Sequence, residues 1–186
     1  PKLCRNITFI DLLELTEGPA DTVNKALPLL DPEEPIVIAN TDQYVFEGLD
    51  SFINDVRENQ HDGQILTMFA NGNQWSYVKH INNYVELVVE KQQISKEATV
   101  GVYYFKNSKD CSAAINNMRL ENEKVNNEFY IAPSYNYLIK QGKVVKASNC
   151  GRINFEIMGT GTPSDLEMFK HDERVRDLAK NLEIYR

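Results

Sequence analysis

The sequence predicts one α/β domain built on a mixed, mainly parallel central sheet flanked by helices. Short continuous apolar runs at Ile36–Ala39, residues 64–70 and residues 98–105 are of the kind seen in strands buried on both faces of a parallel sheet. Between the first two runs, Leu49, Phe52, Ile53 and Val56 recur at helical spacing, which completes a strand-helix-strand unit. The 186 residues contain neither a Pro/Gly-rich linker nor an internal repeat, so a single sizeable domain is expected.

Residues 6–13 carry Ile, Phe and Thr in partial alternation and read as a strand, with residues 14–18 as the loop leaving it. Gly18 permits unusual backbone angles or close approach by a ligand, and Pro19 suits the first turn of a helix over residues 20–29. The free N–H groups at such a helix start can meet an anion or a base edge, although an ordinary strand-to-helix turn explains the same residues. Pro35 then stops what precedes it, and Ile36–Ala39 forms a strand that breaks abruptly into the polar cluster Asn40-Thr41-Asp42-Gln43. In open α/β sheets ligands bind outside the carboxyl ends of strands, which places Asp42 to hold a metal or a substrate hydroxyl. Shaping a turn through its side chain accounts for the position of Asp42 equally well.

Asp62-Gly63 makes a turn into the strand over residues 64–70, and Asn71-Gly72-Asn73 makes the next turn. Residues 75–80 and Tyr84–Glu90 read as two strands around Asn82-Asn83. Glu90 and Lys91 are adjacent, so on a strand they face opposite sides unless the strand ends between them; a surface ion pair is the simplest interpretation. Gly101 interrupts the core strand over residues 98–105, and a glycine there often marks a close approach to the backbone. Residues 109–118 predict a helix, 121–127 a polar loop, and 130–140 a helix that stops at Gly142. Strands over residues 144–148 and 153–157 precede the break Gly159-Thr160-Gly161-Thr162-Pro163. A helix containing Leu166, Met168 and Phe169 follows, and then a charged amphipathic helix over residues 172–183.

A formal net charge of −7 argues against a nucleic-acid backbone or an anionic membrane as the main partner. An anionic ligand would need a local excess of Lys or Arg, or a divalent cation. Cys4, Cys111 and Cys150 are odd in number and widely spaced, which suits reduced thiols in a cytoplasmic protein. No apolar stretch approaches the roughly 20 residues that span a bilayer, and the start of the chain lacks a signal-peptide hydrophobic region, so a soluble protein is expected. The chain begins at Pro1, which suggests processing or a piece of a longer polypeptide.

Taken in order, five stretches resemble the sugar-phosphate nucleotidyltransferases, the family of glucose-1-phosphate thymidylyl- and uridylyltransferases. They are Thr16-Glu17-Gly18-Pro19-Ala20-Asp21-Thr22, Ile38-Ala39-Asn40-Thr41-Asp42-Gln43, Val89-Glu90-Lys91, Thr99-Val100-Gly101-Val102-Tyr103 and Gly159-Thr160-Gly161-Thr162-Pro163-Ser164-Asp165-Leu166. The resemblance implies a Rossmann-like, glycosyltransferase-A-like fold and an Mg²⁺-dependent transfer from a nucleoside triphosphate to a sugar 1-phosphate. The products would be a nucleoside diphosphate sugar, for polysaccharide or glycan precursor synthesis, and pyrophosphate. It implies Gly18 against the nucleotide base, Asp42 as a Mg²⁺ ligand, Glu90 on the sugar hydroxyls and Lys91 on the sugar phosphate. Trp75 and Ser76 resemble an aromatic-glycine pair beside the sugar, with Ser76 in the place of the glycine, and Thr99, Val100 and Gly101 would form the sugar-side wall. Such a reaction needs no general base, because its phosphate nucleophile is already anionic.

Two departures qualify the resemblance. The family's opening Gly-rich loop, which holds the triphosphate, is not found, so the domain looks N-terminally truncated, with strand edges left to be covered by something else. The aspartate that usually precedes Thr-Gly-Thr as second metal ligand is replaced by Gly159, and the nearest carboxylate before it is Glu156. Two alternatives follow: a cytidylyltransferase acting on a non-sugar phosphate such as phosphocholine, and a non-catalytic homologue that binds a sugar phosphate or a protein. The nucleotide, the sugar and homo-oligomer formation stay open.

Overall fold

Helices cover both faces of two long central strands, which is why those strands read as unbroken apolar runs. The computed structural model describes residues 7–59 and 61–183. In chain order the elements are α1 (Pro19–Ala26), β1 (Ile36–Ala39), β2 (Gln43–Val45), α2 (Leu49–Asn59), β3 (Gly63–Phe69), β4 (Ser76–Ile81) and β5 (Tyr84–Glu90). They continue with β6 (Glu97–Phe105), α3 (Ser108–Leu120), α4 (Ile131–Lys140), β7 (Val145–Arg152), β8 (Ile157–Gly159), α5 (Pro163–His171) and α6 (Glu173–Glu183).

On one face of the central pair, Ile65 of β3 and Tyr103 and Phe105 of β6 join Cys111, Ile115 and Met118 of α3 in a buried cluster that also contains Tyr135 of α4. The Tyr135 ring stacks on Phe105, and its hydroxyl donates to the Tyr104 carbonyl at 2.7 Å. On the other face, Leu66, Met68, Val102 and Tyr104 form a second core with Phe52, against which Ile53 and Val56 of α2 pack. Cys111 and Cys150 are buried free thiols, and Cys4 lies outside the described residues.

The sheet is not mainly parallel, as expected, but mainly antiparallel. Strand order is β1-β6-β3-β7-β5-β4, and β4 also pairs with β6, so β6, β3, β7, β5 and β4 close into a five-strand barrel. An odd number of strands cannot alternate in direction all the way round, and β3–β7 is the parallel pair; β3–β6, β4–β5, β4–β6 and β5–β7 are antiparallel. The apolar runs misled because helices on both faces, not parallel pairing, bury β3 and β6. β1 differs: it flanks β6 antiparallel, its burial alternates, and Val37 is 47% exposed. Asn82 and Asn83 both take positive φ, 50° and 67°, the two-residue turn that suits the twist of the β4–β5 hairpin.

Three local expectations also change. Residues 7–13 form no strand, and Asn6 lies outside the described residues. In place of a strand over residues 153–157, β7 runs on to Arg152 and β8 starts at Ile157, with a turn between them. Gln43, expected to end the polar cluster, instead opens β2, which pairs antiparallel with β8. No helix of the described residues is long and apolar enough to cross a membrane.

Gly101 sits in a bulge. Ile65 pairs with Tyr103 and Thr67 with Thr99, so Leu66 alone on β3 faces three residues of β6. Gly101 has φ 92°, and a Cβ there would lie 2.5 Å from Asn40 Nδ2. The Asn40 N–H donates to the Gly101 carbonyl at 2.9 Å, which ties the end of β1 to the bulge. Gly101→Ala should cost about 1–3 kcal/mol through an unfavourable positive φ, beside the Asn40 contact. Chemical denaturation would show a lower midpoint, and an unchanged midpoint would mean that the bulge tolerates a side chain.

Candidate functional site

Just past the Asn40 anchor, Asp42 lies on the loop between β1 and β2, exposed to solvent. Its carbonyl accepts from the Thr160 N–H at 2.7 Å, and the next residue, Gln43, is the register partner of Gly159. The β2–β8 ladder therefore brings together the Asn-Thr-Asp-Gln and Gly-Thr-Gly-Thr stretches, which are more than a hundred residues apart. Between them is a cavity of about 700 Å³ lined by Asp42, Gln43, Trp75, Asn154, Gly159 and Asp165, among others. Two of its wall atoms, Gln43 Oε1 and Trp75 Nε1, are buried and make no hydrogen bond among the described residues.

Trp75 links this cavity to a second polar cluster, because its carbonyl accepts from the Lys91 N–H at 2.9 Å. Ser76 and Glu90 are register partners across the β4–β5 hairpin, and Ser76 Oγ donates to Glu90 Oε2. Glu90 is buried, and burial pushes its carboxyl above the usual range, opposed by the Ser76 hydrogen bond and the Lys91 charge. Beyond Glu90 the strand ends: Lys91 turns to φ 54°, and its ammonium donates to the Tyr130 hydroxyl and lies 4.4 Å from the centre of that ring. Tyr130 in turn donates to Glu128. The Tyr130 hydrogen bond, with the Tyr130, Glu90 and Glu128 charges, raises the Lys91 pKa against the opposing effect of burial, so the ammonium stays charged through neutral pH.

The structure distributes the remaining sequence candidates unevenly. Thr99 shares a 3.0 Å hydrogen bond with the buried Tyr103 hydroxyl, while Val100 is buried in the core on the α2 side. Gly101 is met by Asn40, as described. Gly18 is buried with φ 116°, and a Cβ there would lie 2.8 Å from both the N and the O of Phe129, so the chain itself explains this glycine. Glu156 is engaged elsewhere: its Oε2 accepts from the Arg152 N–H at 2.8 Å. Sequence reasoning missed Glu128, Tyr130 and Gln43 as site residues. The sequence carried no signal for the first two, since Tyr130 reads as the start of a helix that in fact begins at Ile131.

Because folding raises the Glu90 pKa, the folded chain binds that proton more tightly than the unfolded chain does. The associated stability is fully present below the ordinary value of 4.5 and is lost as pH rises through the raised value. Glu90→Gln carries no charge to bury. Its melting temperature should exceed that of the wild type at neutral pH, with a gap that shrinks toward pH 4.5; thermal scans across that range check this, and a constant gap would mean that Glu90 burial is not the source.

No protein-family model and no curated protein matches the sequence. Solved structures do match. A nucleoside-diphosphate-sugar pyrophosphorylase from Vibrio cholerae RC9 superposes with a TM-score of 0.68 at 26% identity, over 84% of this chain and 66% of that one. A Bacillus anthracis protein described as a glucose-1-phosphate thymidylyltransferase, in complex with a sucrose, gives 0.65 at 16% identity, over 89% and 62%. The inositol-1-phosphate CTP transferase from T. maritima gives 0.61 at 15% identity, over 87% and 60%. The chain thus spans 60% to 66% of the length of these structures. Its fold is that of the nucleotidyltransferases, the group that the order of its sequence motifs resembles.

Proposed function

We propose that this chain is part of a nucleotidyltransferase that transfers a nucleotidyl group from a nucleoside triphosphate to a sugar 1-phosphate, giving a nucleoside diphosphate sugar and releasing pyrophosphate. The observation that carries this reading is the pairing, through Trp75, of the Asp42 cavity with the Ser76–Glu90–Lys91 cluster, on the fold of a nucleoside-diphosphate-sugar pyrophosphorylase. Lys91, held by Tyr130, supplies a fixed positive charge for the phosphate of the acceptor. Glu90 and Ser76 present oxygen atoms to acceptor hydroxyls. Trp75 provides an apolar wall beside them. The barrier is bringing two anionic groups together, so alignment and neutralisation suffice and no side chain need remove a proton.

The fold family implies a magnesium ion, and the Asp42 loop fits one. Its donors are hard oxygens, Gln43 Oε1 is buried without a partner, and Gly161 leaves room beside the Asp42 carboxylate, where a Cβ would lie 2.9 Å from Oδ2. A bound magnesium ion would neutralise and align the phosphates. The reading assigns the chain to nucleotide-sugar synthesis for polysaccharide or glycan assembly in the cytoplasm, and the free, buried thiols of Cys111 and Cys150 support a reducing compartment.

A second reading, cytidylyl transfer to a non-sugar phosphate such as choline phosphate, is favoured by Ser76. Its hydroxyl already engages one oxygen of Glu90 and leaves less of that carboxylate for a sugar. The full-length protein, given Mg²⁺, each nucleoside triphosphate and a panel of hexose 1-phosphates and choline phosphate, should release pyrophosphate with a hexose 1-phosphate. Release with choline phosphate alone selects the second reading, and no release overturns both in favour of a non-catalytic homologue. Asp42→Asn and Lys91→Met should each lower kcat by about 10²–10³-fold, as losing one charge-stabilising group does. Ser76→Gly should raise kcat/KM for hexose 1-phosphate relative to choline phosphate by about tenfold; steady-state kinetics with both acceptors would check this, and an unchanged ratio would remove Ser76 as a selector.

A further inference from the structure

The bond from the Lys91 N–H to the Trp75 carbonyl belongs to a larger brace between two loops. One loop, residues 71–75, joins β3 to β4, and its Asn71, Gln74 and Trp75 line the Asp42 cavity. The other leaves β5 and begins with Lys91. Gln93 holds the two together with three hydrogen bonds. Its Oε1 accepts from the Gly72 N–H at 3.0 Å, its Nε2 donates to Asn71 Oδ1 at 3.1 Å, and its backbone N–H donates to Asn73 Oδ1 at 3.2 Å.

The β4–β5 hairpin does not by itself require this brace. Its ladder ends at the Ser76–Glu90 pair, and residues 71–73 lie outside it. The start of the loop is anchored separately, by the Ala70 N–H on the Lys96 carbonyl at 3.2 Å, so the tip is the part that Gln93 holds. Tyr77 secures the same tip from the buried side, where its hydroxyl donates to the Gly72 carbonyl at 2.7 Å. Gly72 is thus held at both its N–H and its carbonyl. Gln93 is exposed, so burial does not account for its three bonds to a single loop. Hydrogen bonds at the surface add little net stability one by one, but several from one residue to one loop fix where that loop lies.

We infer that Gln93 is a positioning residue, which fixes the cavity wall of residues 71–75 against the Lys91 turn before any substrate arrives. Each half has its own support: Tyr130 steadies the Lys91 ammonium, and the β2–β8 ladder sets the opposite wall of the cavity. Neither half needs Gln93 in order to form. What Gln93 supplies is their relative placement. In a transfer whose barrier is the approach of two bound anionic groups, relative placement governs the rate of the step more than the affinity for either group alone. The inference rests on the nucleotidyl-transfer reading of the two clusters, but part of its test needs no turnover.

Gln93→Ala removes two of the three bonds, and Asn71→Ala removes one of those two. Both positions are exposed, and circular dichroism verifies that each variant of the full-length protein is folded. Amide hydrogen exchange is then followed residue by residue. The Lys91 N–H should exchange about tenfold faster in Gln93→Ala, as losing two hydrogen bonds predicts, although its own acceptor, the Trp75 carbonyl, is untouched. The double variant should exchange no faster than Gln93→Ala, because Asn71 acts through the same side chain. With a hexose 1-phosphate and a nucleoside triphosphate, kcat of Gln93→Ala should fall by about 10–100-fold while KM for each substrate stays within about twofold of wild type. A Lys91 amide as protected as in the wild type overturns the proposal. So does an unchanged kcat, or a rise in KM that accounts for the whole loss of kcat/KM. If the exchange pattern holds but the wild type releases pyrophosphate with no acceptor, the brace stands and the substrate reading falls.

Discussion

The bulge in β6 at Gly101 is the contact on which the geometry of the site depends. It lets three residues of β6 stand opposite Leu66 and makes room for the Asn40 side chain at the end of β1. The Asn40 N–H then bonds the Gly101 carbonyl. Asp42 follows two residues later, so the exit of the loop from the barrel is set by a backbone conformation that few residues other than glycine adopt. The second anchor is the Thr160 N–H on the Asp42 carbonyl, which ties that loop to the start of the Gly-Thr-Gly-Thr turn. Between these anchors, Asp42 is positioned by backbone hydrogen bonds on both sides while its carboxylate stays exposed.

Charge is distributed in the same economical way. The chain as a whole is acidic, at −7, yet an anionic substrate needs positive charge where its phosphates lie. Lys91, the residue proposed to meet the phosphate, is a turned residue whose ammonium is steadied by the Tyr130 hydroxyl and ring, and Tyr130 is in turn held by Glu128. Glu90, one residue earlier, points the other way into a buried pocket where Ser76 meets it. Two adjacent residues that read as a surface ion pair are in fact committed to different partners, because the strand ends between them. The positive φ of Lys91 is what separates their roles.

Much of this was legible from particular residues. The helices were readable because apolar spacing, caps and Pro or Gly punctuation act locally, and α2 runs over Leu49–Asn59 as that spacing predicts. The Asn82-Asn83 hairpin and the glycine close-approach at position 101 were readable for the same reason. The order of the motifs pointed to the nucleotidyltransferase fold, although no family model matches the sequence. Strand direction was not legible, because an apolar run records that both faces are buried and not which way the neighbouring strand runs. Residues 7–13 carry strand-forming side chains, but a strand exists only where a partner supplies its hydrogen bonds, and the described residues supply none.

By itself, the sequence determined which segments are strands, helices and turns over most of the chain, and it marked Asp42, Glu90 and Lys91 as the residues to watch. The tertiary structure alone decided that β6 lies between β1 and β3, that five strands close with β3–β7 as the parallel pair, and that Gln43 faces Gly159. It also decided that Asp165, rather than Glu156, stands beside Gly159. The physical reason is range. Capping, turn chemistry and helical periodicity act between neighbours in the chain, whereas strand pairing and the meeting of side chains from distant segments follow from how all the buried faces are satisfied at once.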